Sequence, residues 1–369
     1  MFKGAANAPA CCMLLGEMTM TTRRDLARLG AAAVLGAPAL LREGHAQAPE
    51  VTLKLHHFLA GVSNVHRYFL VPWAEKINKE SNGRLRIQIF PAMQLGGAPP
   101  QLYDQARDGI ADITWTLPGN TPGRFPRIEV FELPFVAHKR AAVNVLAVQE
   151  YAERHCQEEF GEVHPLCVWG HGEGLIHRRR EVTKMEDLAG LKLRFPSRLN
   201  GEALRALGAS PVGMPVPQIP EALSQGVIDG AVVPWEVVPS IRLQEMVRNH
   251  TEIPGSPTLY IATFILGMNK AKYAGLPADL RAVLDANSGA AAARMAAVPW
   301  DERGPVVEAE VRRRGNRIVT LSEAEKERWA IATRPVVDNW LKTASEKGLD
   351  AQALLADARS LVARHSSAA

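Results

Sequence analysis

The chain has 369 residues with 43 Lys and Arg against 39 Asp and Glu, a formal net charge of +4, and 47% hydrophobic residues. No dominant basic stripe with interleaved aromatics is present, and the arginine triplets 178–180 and 312–314 stand apart as solvated faces, which excludes a nucleic-acid-binding protein. The length suits an export signal followed by two modest domains.

The first segment reads as a targeting signal. Thr22-Arg23-Arg24-Asp25-Leu26 is a twin-arginine pattern, followed by an apolar run from Leu26 to Leu41 and by Ala46-Gln47-Ala48, a small-residue cleavage site. Arg28, Gly36 and Pro38 break the apolar run, which is short for a membrane span; an N-terminal anchor helix is the alternative reading. Met18 or Met20 would give a more compact signal than Met1. Cleavage after Ala48 removes Lys3, Arg23, Arg24, Arg28 and Arg42 together with Glu17, Asp25 and Glu43, so the remaining chain carries a net +2. It keeps only Cys156 and Cys167. In an oxidising compartment these either bridge or stay as two buried thiols, and two cysteines alone make no structural zinc site.

Beyond the signal, strand and helix alternate. Val51, Leu53 and Leu55 alternate with polar residues, predicting a strand over 51–58. Ser63 caps a helix carrying Val65, Phe69, Trp73 and Ile77 on one face, and Asn82-Gly83 ends it. A second strand follows at 85–89, a helix at 100–108 that stops at Gly109, and a third strand at 110–115. This βαβαβ order predicts a mainly parallel sheet covered by helices. A second unit begins near Gly170, with strands at 191–195, near 212 and at 228–233, and helices at 200–207 and from 220 to just before Gly226. An apolar strand at 263–268 precedes a long helical region at 277–314, interrupted at Pro299 and Gly304-Pro305, where proline removes a helical hydrogen bond. Two final helices are predicted at 322–341 and 350–364. Two α/β lobes with a cleft between them are a natural small-ligand site.

Most candidate motifs carry little. Gly170-His171-Gly172-Glu173-Gly174 lacks the helix that a dinucleotide loop needs. His56, His57 and His66 cluster in sequence, but His56 and His57 point to opposite faces of a strand. No nucleophile elbow, zinc-protease helix or P-loop occurs, so no catalytic residue, metal or cofactor is expected. One residue stands out. Arg194 ends the strand of Asp187-Leu-Ala-Gly-Leu-Lys-Leu-Arg-Phe-Pro196, at the position where open α/β sheets hold ligands, and a guanidinium there suits a carboxylate. Lys192 shares its strand face, and the N-terminus of the following helix is expected to point back to the same spot.

The ordered motifs around Arg194 resemble those of the periplasmic solute-binding proteins of tripartite ATP-independent periplasmic (TRAP) transporters, the dicarboxylate-binding-protein-like family. They are Ser81-Asn-Gly-Arg84 with Phe90-Pro91 and Gln94-Leu-Gly96, Gly109-Ile-Ala-Asp112, Phe131-Glu-Leu-Pro-Phe135, the Asp187–Arg194 strand, Leu207-Gly-Ala-Ser-Pro211, and Ala222-Leu-Ser-Gln-Gly-Val-Ile-Asp-Gly230. The resemblance implies an α/β, two-lobed periplasmic-binding-protein (type II-like) fold. Each lobe is a mixed sheet flanked by helices, and a long kinked helix spans both. It divides the chain into a signal at 1–48, a first lobe at 49–170 plus about 259–298, and a second lobe at 171–258 plus about 299–369 with the C-terminal helices.

It also implies a receptor without enzymatic activity, which acts as a monomer in the periplasm. The receptor would grip a small-molecule carboxylate through Arg194 and hand it to the small and large membrane subunits of a permease. A binding protein that feeds a sensor, or an exported enzyme acting on a carboxylic acid, are the competing readings. Departures from the family pattern shape the pocket. Gly174 stands where many members place a second arginine, and Val233 where many place a ligand-contacting asparagine. Phe58 replaces a polar residue of sialic-acid-type members, and Val216 aligns in the loop after Met214. With Trp115, Trp235 and Phe264 nearby, the expected site is Arg194, Trp235, Phe58, Trp115, Val233, Phe264 and Met214. Such a site suits a monocarboxylate with an apolar or aromatic body rather than sialic acid or a succinate-like diacid.

Overall fold

Among the described residues, eleven strands build two sheets. In chain order they are β1 (Val51–His57), β2 (Leu85–Phe90), β3 (Ile113–Thr116), β4 (His164–Gly170), β5 (Leu175–Arg178), β6 (Lys192–Phe195), β7 (Ser210–Gly213), β8 (Gly230–Val233), β9 (Asn249–Glu252), β10 (Thr263–Met268) and β11 (Arg317–Thr320). The computed structural model describes residues 48–368, which belong to one compact unit, 46–369. The twin-arginine pattern, the alternative starts and the apolar run lie outside the described residues.

The first sheet runs β2-β1-β3-β10-β4 and the second β11-β9-β5-β8-β6-β7. β1 pairs parallel with β2 and β3, whereas β10 runs antiparallel between β3 and β4. In the second sheet β6 lies parallel between β7 and β8, and β5 runs antiparallel between β8 and β9. Both sheets are therefore mixed, each with one antiparallel strand inserted among parallel ones. The third strand starts three residues later than its apolar pattern predicts. Gly109 turns with φ +75°, Ile110 is left exposed, and the ladder begins only at Ile113.

Two helices follow the sequence signals closely at their starts. Ser322 accepts from the Glu325 amide at the head of Glu323–Glu346, and Asp350 accepts from the Ala353 amide at the head of Ala351–Ser367. The last helix packs on Ala141–His155, where Ala351, Leu355 and Ala358 join a core with Val148, Tyr151 and Ala152. The predicted long helix is Ala290–Ala296, Val298–Asp301 and Gly304–Arg313, three segments whose joints at Ala297, Glu302 and Arg303 keep helical backbone angles. Pro299 and Pro305 each interrupt the ladder without ending the helix. Ala278–Ala286 is separate, because Gly289 turns the chain away with φ +57°. The helix begins against Ala141–His155 and β4 and ends against the short helix Trp235–Ile241, so it links the two sheet layers.

The chain also crosses between the sheets at 171–174, after β4, and at 253–262, after β9. These crossings are laced together. The His171 amide donates to the Ala262 carbonyl (3.4 Å), the Ala262 amide to Nε2 of His171 (2.8 Å), and the Gly174 amide to the Tyr260 carbonyl (3.3 Å). Cys156 and Cys167 are both buried and unbridged.

The lobes also touch beyond the crossings. Arg198, after β6, pairs with Glu129 at 2.7 Å, and a Cβ added to Gly119 would sit 2.5 Å from Ser197 Cβ. Gly119→Val should therefore prop the lobes apart there. The expected outcome is about a tenfold loss of ligand affinity by calorimetry and a larger radius of gyration by X-ray scattering, with unliganded stability little changed. Unchanged affinity would show that this contact does not limit closure.

Candidate functional site

Arg194 is the last but one residue of β6, which lies between β7 and β8, and is 2% exposed. Its flanking strands deliver the acceptors that hold it. Nε donates to the Met214 carbonyl just past β7 (2.8 Å), and Nη1 to the Val232 carbonyl in β8 (3.1 Å). Both are neutral, and among the described residues no Asp or Glu forms an ion pair with this guanidinium. Burial pulls its pKa down to about 10, so it remains a cation at neutral pH. A buried charge without a counter-charge is costly, and the simplest compensation is an anion that binds there.

The guanidinium borders a partly open pocket, with about 410 Å3 of empty space counting the solvent at its mouth, that is otherwise walled mainly by apolar side chains. From the first sheet come Phe58, just after β1, Trp115 in β3 and Phe264 in β10. Trp115 lies 4.8 Å from Phe58 and 5.7 Å from Phe264 between ring centroids. The second lobe supplies Val232 and Val233 from β8, with Val216 and Val237. The crossings supply His171, Tyr260 and Ala262. Strand alternation explains the first set, since Phe264 and Leu266 point to the face opposite Thr263 and Ile265, and Leu266 pairs with Trp115.

Three further polar side chains line the cavity, and burial holds each one uncharged. His171 is pushed down to about 4. Its Nε2 accepts from Ala262, so the proton sits on Nδ1 and is donated to the Gly172 carbonyl at 2.5 Å; only the ring face is left for a ligand. The Tyr260 phenol is pushed up by burial, against the opposing pull of Arg194. The Glu236 carboxyl is pushed up to about 8, and it accepts from the Val65 amide of the opposite lobe at 3.2 Å. Near neutral pH, Arg194 is thus the one charged group among the described lining residues, which fits a monoanion.

The structure brings Arg194, Phe58, Trp115, Val233 and Phe264 together, as the sequence suggested. It does not bring Trp235. That indole turns away from the cavity, donates from Nε1 to Glu252 (3.2 Å) and packs beside His177 and His250. Trp235 opens the 3-10 helix Trp235–Ile241 directly after Pro234, and there the strand's alternation no longer sets side-chain direction. Met214 takes part through its carbonyl; the residue lines a neighbouring cleft, and its side chain packs against the core that holds Phe58, Trp115 and Phe264. Ser197 and Arg198, at the start of the helix after β6, line that same cleft with Gly119 and Asn120, so this helix N-terminus does not border the Arg194 cavity. His56 and His57 do face opposite ways. His56 bonds Gln105 (2.7 Å) and His57 bonds His66 (2.9 Å).

The sequence reading missed His171, Tyr260 and Glu236. His171 and Tyr260 lie on crossings without periodic pattern. A glutamate after an apolar strand reads as surface, yet Glu236 is 1% exposed. Among the described residues, no helix is long and apolar enough to cross a membrane.

Comparison with known proteins places this geometry in a context. The family described as bacterial extracellular solute-binding protein, family 7, matches residues 55–343. A TRAP solute-binding protein of Rhodoferax ferrireducens, solved with copurified benzoate, is 43% identical with a TM-score of 0.84, over 86% of this chain and 99% of that one. A marine metagenome TRAP solute-binding protein specific for aromatic acid ligands, solved with 3-hydroxybenzoate, is 42% identical with the same TM-score and the same coverage. A TRAP periplasmic solute-binding protein of Bordetella bronchiseptica, solved with (R)- and (S)-mandelate, is 30% identical with a TM-score of 0.78, over 85% of this chain and 99% of that one.

Proposed function

The chain belongs to the bacterial extracellular solute-binding proteins of family 7, and on that premise we propose that it is the receptor of a TRAP transporter for a small aromatic monocarboxylate. It captures the acid in the cleft between its lobes and delivers it to the small and large membrane subunits of the permease. The one observation that carries the ligand class is the make-up of the cavity wall, a single guanidinium among mainly apolar and aromatic side chains. Among the described residues Arg194 is held by the Met214 and Val232 carbonyls and stays ionised, while burial favours the neutral forms of His171, Tyr260 and Glu236, and the remaining wall is apolar and aromatic. One carboxylate satisfies the guanidinium, and a ring packs against Phe58, Trp115 and Phe264. A dicarboxylate would press its second charge against apolar wall or the buried Glu236, without a cation to meet it.

The ligands of the benzoate- and mandelate-bound relatives support this reading. Residues 1–48 serve as its twin-arginine export signal, with cleavage after Ala48, and the mature protein works as a monomer in the periplasm.

A thermal-shift screen tests the ligand class. Benzoate, 3-hydroxybenzoate and mandelate at about 100 times their dissociation constants should stabilise the protein by about 2.7 kcal/mol, a rise of several degrees. Succinate and sialic acid should leave the melting temperature unchanged. Stabilisation by the latter two and by none of the aromatic acids would refute the assignment.

A further inference from the structure

We propose that the Tyr260 hydroxyl is the second hydrogen-bond donor of the carboxylate clamp, beside Arg194, and that Gly174 is the residue that makes room for it. This deepens the monocarboxylate reading and rests on it. Tyr260 stands on the second crossing between the lobes and lines the same cavity as Arg194. Its hydroxyl is fully buried and has no hydrogen-bond partner in the protein. A buried hydroxyl left unpaired is unfavourable, and native structures keep such groups rarely. This one borders a ligand cavity, where a carboxylate oxygen would satisfy it. Burial keeps the phenol protonated, so it can donate.

Gly174 supplies an independent observation. A Cβ built on it would overlap the Tyr260 ring and its hydroxyl. Gly174 is not among the glycines with positive φ, so its backbone angles do not call for glycine. What the position demands is space, and Tyr260 fills that space. The Gly174 amide bonded to the Tyr260 carbonyl at 3.3 Å fixes the two segments in register, and the His171 ring meets the Tyr260 ring edge-on with centroids 5.9 Å apart. The phenol is therefore held in place before any ligand arrives.

Arg194 leaves work for a second donor. Two of its five N–H groups already go to the Met214 and Val232 carbonyls, and among the described residues none accepts a hydrogen bond from Nη2. A carboxylate has about four acceptor sites on two oxygens, more than the remaining edge of the guanidinium can fill. A phenol from the neighbouring crossing would pair the other oxygen and fix the plane of the carboxylate.

The test is calorimetry of wild type and Tyr260→Phe with whichever of benzoate, mandelate or succinate stabilises the wild type most. Phenylalanine keeps the ring against Gly174 and removes only the donor. The expected result is a 10- to 100-fold rise in Kd, the range for losing a hydrogen bond to a charged group, with the unliganded melting temperature unchanged or higher. A Kd within about threefold of wild type would overturn the proposal. A second readout covers a variant that folds poorly. With tyrosines labelled at Cζ, one of the five signals, the one missing from Tyr260→Phe, should shift when the acid is added to wild type; a signal that stays put would also overturn it. Failure of the aromatic acids alone, with succinate bound and Tyr260→Phe weakened, would sink the aromatic reading and leave the clamp standing.

Discussion

Arg194→Ala should abolish ligand binding and leave the fold in place. Removing one partner of a buried charge pair costs about 3–5 kcal/mol, which corresponds to a Kd raised from about a hundredfold to several thousandfold. The geometry makes the loss hard to recover. The other three polar side chains in the cavity are uncharged at neutral pH, so no second cation can take over the carboxylate. Stability should respond differently. The unliganded protein holds a desolvated guanidinium whose partners among the described residues are two backbone carbonyls. Its removal relieves that desolvation and leaves the two carbonyls to water. Calorimetry with benzoate, paired with thermal melting of the unliganded variant, separates the effects. Near-normal affinity would refute the role of Arg194, whereas a collapsed melting temperature would recast it as a structural residue.

Glu236 should make both stability and binding fall as pH rises. Its folded pKa is raised by burial to about 8 from an ordinary 4.5. A raised folded pKa means that its contribution is fully present below about 4.5 and is lost as pH rises through 8, because the buried group resists the ionisation that the unfolded chain allows. Glu132, Glu159 and Glu173, each raised by burial to about 7, act in the same direction. The buried histidines act oppositely. His57, His171 and His250 are lowered to about 3, 4 and 4, so their contribution is present above the ordinary 6.5 and is lost in acid. Above pH 6.5 the histidines add nothing more and the glutamates dominate, so urea midpoints should fall between pH 6.5 and 8.5.

Glu236→Gln keeps an oxygen for the Val65 amide and cannot ionise. It should raise stability at pH 8.5 by a few kcal/mol, on the order of one pKa unit's 1.4 kcal/mol times the part of the shift that Glu236 bears, and change little at pH 5. Benzoate affinity should follow the same curve. Ionised Glu236 would place a negative charge in the cavity that holds the anion, so wild-type affinity drops through about pH 8 while that of Glu236→Gln stays level. Identical pH profiles for the two proteins would remove Glu236 from this role.

Much of the site could be anticipated because its parts lie on regular elements. The predicted strands at 110–115 and 263–268 carry Trp115 and Phe264, and the break at Pro196 puts Arg194 near a strand end. Where regular structure stops, the reading failed. Trp235 comes two residues after β8 and turns away to Glu252, whereas the next residue, Glu236, turns into the cavity. One step along a 3-10 turn changes side-chain direction in a way no strand pattern encodes. The long helix shows the same limit, since Pro299 and Pro305 predicted interruptions but not that the joints would keep helical angles.

Gly174 is the clearest division between the two sources. The sequence shows a glycine where the family resemblance leads one to expect an arginine, and from that alone a lost polar partner is the natural reading. The fold brings Tyr260, from the other crossing, into the space that a side chain at 174 would occupy. By itself, the sequence determined the alternating α/β order, the helix caps and a strand-end arginine, because these depend on local periodicity and local hydrogen bonding. Only the tertiary structure decided which side chains meet around that arginine and in what charge state. Those outcomes depend on contacts between residues far apart in the chain and on how deeply the contacts bury them.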